Sequence, residues 1–159
     1  MHSRIYQITT EPVPADEHLS ESYFCEHWFV GSIADYVAGG LNHGLEIDCF
    51  KESLVKSRVA FFHSDDCFSI LPRGKETYFR HTFADFSDAV KKAASVSLED
   101  FAGNGECSSL VYRIKNSFCD KFGPYVSSDE FDTIPLDEFI RDAEPGKRYY
   151  IGGILDYHW

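Results

Sequence analysis

The chain has no Cys-x-x-Cys pair, only six prolines, no apolar run long enough to cross a bilayer, and not one Lys or Arg between residues 5 and 50. Each of these gaps excludes something. The five cysteines, Cys25, Cys49, Cys67, Cys107 and Cys119, are odd in number and widely spaced, which fits reduced thiols in a cytoplasm better than a disulfide framework. A structural zinc site normally brings two close ligand pairs, and Cys25-Glu26-His27 has no second half, so no metal is expected. Uncharged runs such as 28–34 and 149–155 are seven residues long, and a membrane helix needs about 20 apolar residues. No membrane partner is therefore expected. The first eight residues carry one basic side chain and none of the apolar run of a signal peptide, so the expected location is cytoplasmic. Six Pro and eleven Gly are also too few for a disordered or low-complexity chain.

Motifs of phosphate and nucleophile chemistry are missing as well. Gly39-Gly40, Gly103-Asn104-Gly105 and Gly152-Gly153 do not complete a nucleotide-binding glycine pattern. His-Glu-x-x-His, the EF-hand spacing and Gly-x-Ser-x-Gly do not occur. No cofactor is expected on these grounds.

What the sequence does have is unevenly placed acid. The net charge is −11 over 159 residues. Residues 5–50 contribute −8 through eight carboxylates without a Lys or Arg, and residues 126–159 contribute −5. Between them, 51–95 carry +2 and 96–125 carry −1. Phosphate affinity comes from clustered Lys and Arg, so direct nucleic-acid binding is not expected. If the two acidic ends converge, they form a surface for a basic partner. If they do not, they are solvated faces that keep the chain soluble. Asp129, Glu130, Asp132, Asp137, Glu138 and Asp142 are the residues expected to meet such a partner.

The hydropathy pattern predicts an α+β fold in a single domain spanning 1–159, with a mostly antiparallel sheet and several short helices. Ile5 to Thr9 read as a strand. Leu19, Tyr23, Phe24, His27 and Trp28 have helical spacing over 16–28, Ser32-Ile33-Ala34-Asp35 has a capping-box form, and Ile47, Phe50 and Leu54 mark a helix over 46–56. Three runs, 57–63, 67–71 and 76–82, predict an antiparallel meander with turns at 64–66 and 72–75. Helices follow from Phe83, Phe86, Val90 and Ala93, from the Ser97 cap signal, over 107–122, and after Pro135. The last run, 149–159, predicts a docked strand with Gly152-Gly153 at a bulge or a close backbone approach.

Candidate chemistry is thin beside this. His63-Ser64-Asp65-Asp66-Cys67 gathers an imidazole, carboxylates and a thiol, but those residues also suit a strand-turn-strand. Asp156 and His158 fall on one face of the last strand, where a carboxylate could orient an imidazole as a base. His81 and Asp85 straddle a helix start and fit a capping role. Cys25 in an aromatic helix would be buried and inert. A hydrolase would need at least two of His63, Asp65, His81, Asp156 and His158 to converge in one pocket. The load of 14 Phe, nine Tyr and two Trp means that some rings reach the surface, where they could join a protein contact or a homo-oligomer interface. The favoured expectation is a protein-interaction module that presents an acidic, aromatic-bearing surface to a basic partner.

Overall fold

The computed structural model describes residues 1–103, 106–128 and 132–159. Its strands are β1 (His2–Thr9), β2 (Tyr36–Ala38), β3 (Ala60–Phe62), β4 (Cys67–Ile70), β5 (Tyr125–Ser127), β6 (Ile134–Pro135) and β7 (Arg148–His158). The helices among the described residues are α1 (His43–Lys56), α2 (Gly74–Tyr78), α3 (Arg80–Ala94), α4 (Leu98–Gly103), α5 (Glu106–Phe118) and α6 (Leu136–Asp142), with two short 3-10 turns between β1 and β2. The class is α+β, and the sheet is mixed and curved into a half-barrel.

β7 is the hub of that sheet. The order is β3-β4-β7-β1-β5-β6, and β2 also pairs with β7. β1 runs antiparallel along most of β7, while β4 takes the start of the opposite edge and β2 the end of it. β1 and β5 pair in parallel.

A strand buried on both faces needs apolar residues at every position, and the register of β7 changes partway along it. Ile5 pairs with Leu155 and Tyr6 with Ile154, but Ile8 pairs with Ile151. The extra residue falls at Gly152-Gly153, the position expected to bulge. Glycine is required there: an added Cβ at Gly153 would lie 2.6 Å from the Leu19 carbonyl oxygen and 2.7 Å from its nitrogen. Gln7 secures the approach, its side-chain oxygen accepting the N–H groups of Gly153 and Leu19, both at 2.7 Å.

The shift lets β7 feed two cores. On one face Tyr149, Ile151 and Ile154 meet Tyr6 and Ile8, and this side is covered by Ile47, Phe50 and Leu54 of α1 and by Leu136, Phe139 and Ile140 of α6. On the other, Leu155 and Tyr157 join Ile5 and Tyr125 beneath Phe24, Phe29 and Ala34. α1 is helical for ordinary reasons: its buried residues recur at i, i+3 and i+7, and the Asn42 side chain caps it by accepting the Leu45 N–H at 3.3 Å.

Several expectations need correction. The three-stranded meander does not form, because only β3 and β4 pair as a hairpin. Residues 76–82 are helical instead: Thr77 donates its hydroxyl back to the Arg73 carbonyl at 2.9 Å, and Tyr78 turns inward to donate to Asp137 at 2.9 Å. Its aromatic side chains thus reach the core from a helical turn, which a strand pattern cannot distinguish over so short a run. Residues 16–28 form two 3-10 turns and not a helix, since Phe24 is buried while Tyr23 and Trp28 face outward. Ser32 to Asp35 make a turn into β2, and His81 and Asp85, expected to straddle a helix start, both lie inside α3, which begins at Arg80 and has no side-chain cap. The Ser97 signal does cap α4: its hydroxyl accepts the Asp100 N–H at 3.1 Å and donates to the Asp100 carboxylate at 2.7 Å.

Candidate functional site

The first third wraps over the second core, and Phe29 is its anchor. This ring is fully buried, edge-on to Phe24, Tyr125 and Tyr157 at centroid distances of 5.9, 4.8 and 5.1 Å. Its carbonyl accepts the N–H groups of Ile33 and Ala34 at 2.9 and 3.1 Å, closing the turn. With Phe29 pointing inward, Trp28 must point outward, and it is 47% exposed.

Trp28 is where the two acidic stretches meet. Its indole N–H lies 3.3 and 3.4 Å from the Asp132 carboxylate oxygens, and His27 Nε2 lies 3.3 Å from Oδ1 of the same group. The backbone N–H of Thr133, and after it Trp28 and His27, hold the Asp132 carboxyl below its ordinary range, so it stays ionised. Glu26 is exposed one position before His27, and elsewhere in the first acidic stretch Glu11, Asp16, Glu17 and Asp48 are exposed; no cation pairs with any of these five among the described residues. Tyr23 and Tyr36, 46% and 48% exposed, add aromatic surface. Cys25 is exposed and not buried as expected.

The other residues expected to meet a partner fall into three groups. Asp129 and Glu130 lie outside the described residues. Asp137 is half-buried and structural, since its two oxygens accept the Tyr78 hydroxyl at 2.9 Å and the Asp120 N–H at 3.1 Å, tying α6 to its neighbours. Glu138 and Asp142 are exposed on α6. Of the four described, only Asp132 is placed against exposed aromatic surface of the first third.

The residues weighed for hydrolysis do not converge. His63 contacts the Ser69 hydroxyl at 3.1 Å within the β3–β4 hairpin, and Asp65 pairs with Lys51 at 3.0 Å. His81 is exposed beside a shallow cavity near Tyr78 and Arg80. Asp156 and His158 each take a different partner: Asp156 binds His2 at 2.6 Å and Arg4, and His158 binds Asp35 at 3.1 Å. Arg4 also holds Glu46 of α1 in a two-pronged pair at 2.8 and 3.1 Å, so this corner ties β1, β7 and α1 together. Cross-strand register explains the cluster, because His2 faces His158 and Arg4 faces Asp156. No spacing in the sequence could reveal partners more than 150 residues apart.

One polar cavity was not anticipated. Where β4 and β2 leave a gap along β7, His18, Glu21 and His43 line a space of about 450 Å³ beside Gly153. The two imidazoles stack at 5.1 Å, His43 Nε2 meets the Gly152 carbonyl at 2.7 Å, and Glu21 accepts the Gly39 N–H at 2.7 Å. These polar atoms bridge the gap in the sheet by binding backbone.

No known family, curated protein or solved structure matches the chain. Among the described residues, no group of three or more His, Cys, Asp or Glu is placed to hold a metal ion, and no helix is long and apolar enough to cross a membrane.

Proposed function

We propose that the protein is a cytoplasmic interaction module, folded as a single domain, that binds a basic protein partner through the acidic, aromatic face centred on Trp28. The observation that carries this reading is the contact of Trp28 and His27 with Asp132, which joins the two acidic stretches around a half-exposed indole. Tryptophan is among the side chains most often responsible for binding energy at protein contacts, and it is most effective where surrounding groups exclude water. The unpaired carboxylates of the first acidic stretch would steer a cationic partner and reject an anionic one such as nucleic acid. The five free cysteines fit a reducing compartment.

The test is capture of partners from a cell lysate by the wild type, by Trp28→Ala, and by a Glu26→Lys, Asp132→Lys double variant. The reading expects the same basic protein to be captured by the wild type and lost from both variants. Retention should also fall severalfold as salt rises from about 50 to 300 mM, across which screening shortens from roughly 14 to 6 Å. Capture that is indifferent to salt and to all three substitutions removes the reading.

A further inference from the structure

α3 and α5 form an antiparallel hairpin that belongs to neither core. The helices close on each other through buried Ala89 and Leu110, and Asp88 bridges them by pairing with Lys92 at 2.9 Å and Arg113 at 3.3 Å. Neither helix contributes to the two clusters packed on the sheet. Yet residues 80–118 hold seven of the fourteen large exposed apolar side chains among the described residues. Two stripes at i, i+3, i+7 account for much of this: Phe83, Phe86 and Val90 on α3, and Val111, Ile114 and Phe118 on α5.

At the hairpin's base these stripes border a groove. Its contiguous cavities share Phe79, Phe83, Phe86 and Phe118, with Phe83 66% and Phe118 60% exposed. The groove is lined by Lys75, Arg80, Lys115, Lys121 and Arg141 and by one carboxylate, Glu76, while Asp120, Asp137 and Glu138 lie close enough to act on Cys119 in its wall. None of these five cations pairs with a carboxylate among the described residues. Arg141 lies between the Phe79 and Phe118 rings, 4.3 and 4.2 Å from their centroids, and donates to the Phe118 carbonyl. In a chain of net charge −11, this is a concentration of positive charge on apolar surface.

The hairpin's tip has the opposite character. α4 exposes Leu98 and Phe101, 83% and 72%, one helical turn apart and flanked by Glu99 and Asp100. Tip and base are separated by the length of α3, whose 15 residues span about 22 Å.

We propose that the hairpin face is the interface of a two-fold symmetric homodimer, in which α4 of each copy docks its Leu98 and Phe101 into the cationic aromatic groove of the other. Antiparallel pairing of two such hairpins brings each tip to the other's base and sets Val90, Val111 and Tyr112 near the axis. The contact closes on itself, so association stops at two. The face is two helices wide, roughly 20 by 20 Å, so the contact buries about 800 Å² over both copies, the size of a weak, transient association, and the dimer is reversible. None of the residues changed below takes part in the contacts of Trp28, His27 and Asp132, and the inference does not depend on the function proposed for them.

Sedimentation velocity from about 1 to 500 µM tests the proposal, spanning the dissociation constants that a weak interface gives. Wild type should pass from monomer to dimer across this range. Phe101→Asp should abolish the dimer. Glu99→Lys alone, and Lys115→Glu with Lys121→Glu, should each weaken it about tenfold or more, since every change occurs twice per dimer. Combining the tip and base reversals in one chain should recover affinity to within about threefold of wild type. All the side chains changed are exposed or half-exposed, and circular dichroism confirms that each variant is folded. A wild type that stays monomeric throughout overturns the proposal, as does a dimer indifferent to both reversals, or a combined variant no tighter than the weaker parent.

Discussion

Phe29→Ala measures how firmly the acidic first third is fastened to the sheet. The ring is fully buried and meets four aromatic neighbours, Phe24, Trp28, Tyr125 and Tyr157, at 4.8 to 5.9 Å. Truncating a ring so enclosed costs about 3–5 kcal/mol, combining lost transfer energy with the cavity left behind. Two of those neighbours, Tyr125 and Tyr157, are held by their own hydroxyl bonds to the Lys121 and Gly123 carbonyls, each near 2.8 Å. Collapse into the void is therefore limited, and the upper half of the range applies. For a chain of this length, each kcal/mol moves Tm by roughly 2–4 °C, so the expected fall is about 8–20 °C. The matched control is Trp28→Ala next door, which removes a ring 47% exposed and should cost under about 1.5 kcal/mol. Urea unfolding followed by far-ultraviolet circular dichroism reads both. A cost below about 1 kcal/mol for Phe29→Ala, or one no larger than that of Trp28→Ala, would refute the claim that Phe29 fastens this segment.

Two further outcomes follow from the packing. Gly153→Ala places a Cβ within 2.7 Å of two Leu19 backbone atoms, so it should destabilise the protein by about 1–3 kcal/mol, whereas Gly103→Ala, which meets nothing within 4 Å, should be neutral or slightly stabilising; equal midpoints in urea would contradict this. Burial pushes the Tyr6 and Tyr157 hydroxyls up to about 12 and raises those of Tyr78 and Tyr125, so all four favour the neutral form in the folded state. Their contribution is complete below the free-phenol value of 10 and is lost as pH climbs through about 12. Absorbance at about 295 nm, which reports tyrosinate formation, should accordingly show a late step that coincides with loss of circular dichroism; a single smooth titration centred near 10, with the fold intact, would contradict the burial.

Some helices and one cap were legible because their signals are local. Ile47, Phe50 and Leu54 repeat within α1, Ser97 reaches only to Asp100, and Pro135 directly precedes α6. The pair Gly152-Gly153 was equally readable, although what crowds it is Leu19, far off in sequence. The short strands were not legible. β5 is three residues, all buried, so it has no alternation to detect, and β2 is three residues beside Gly39-Gly40. Tyr78-Phe79 supplied β-favouring residues to what is a helical turn, an override of propensity by tertiary packing. For the surface, the acid was countable but its convergence was not. Asp132 reaches Trp28 from 104 positions along the chain, and Asp137, an equally plain acid on paper, is tied up by a tyrosine and a backbone amide.

β7 follows every one of its strand partners along the chain, and this order matters during synthesis. β1, β2 and β4 leave the ribosome without the strand that joins them, so their apolar faces stay uncovered while more than a hundred residues are added to β1. Among the described residues, the β3–β4 pair, the β5–β6 pair and the α3–α5 hairpin can form from neighbouring sequence. Closure of the sheet is then a late, long-range event, the kind of topology that folds slowly and depends on chaperones to keep its unpaired edges apart.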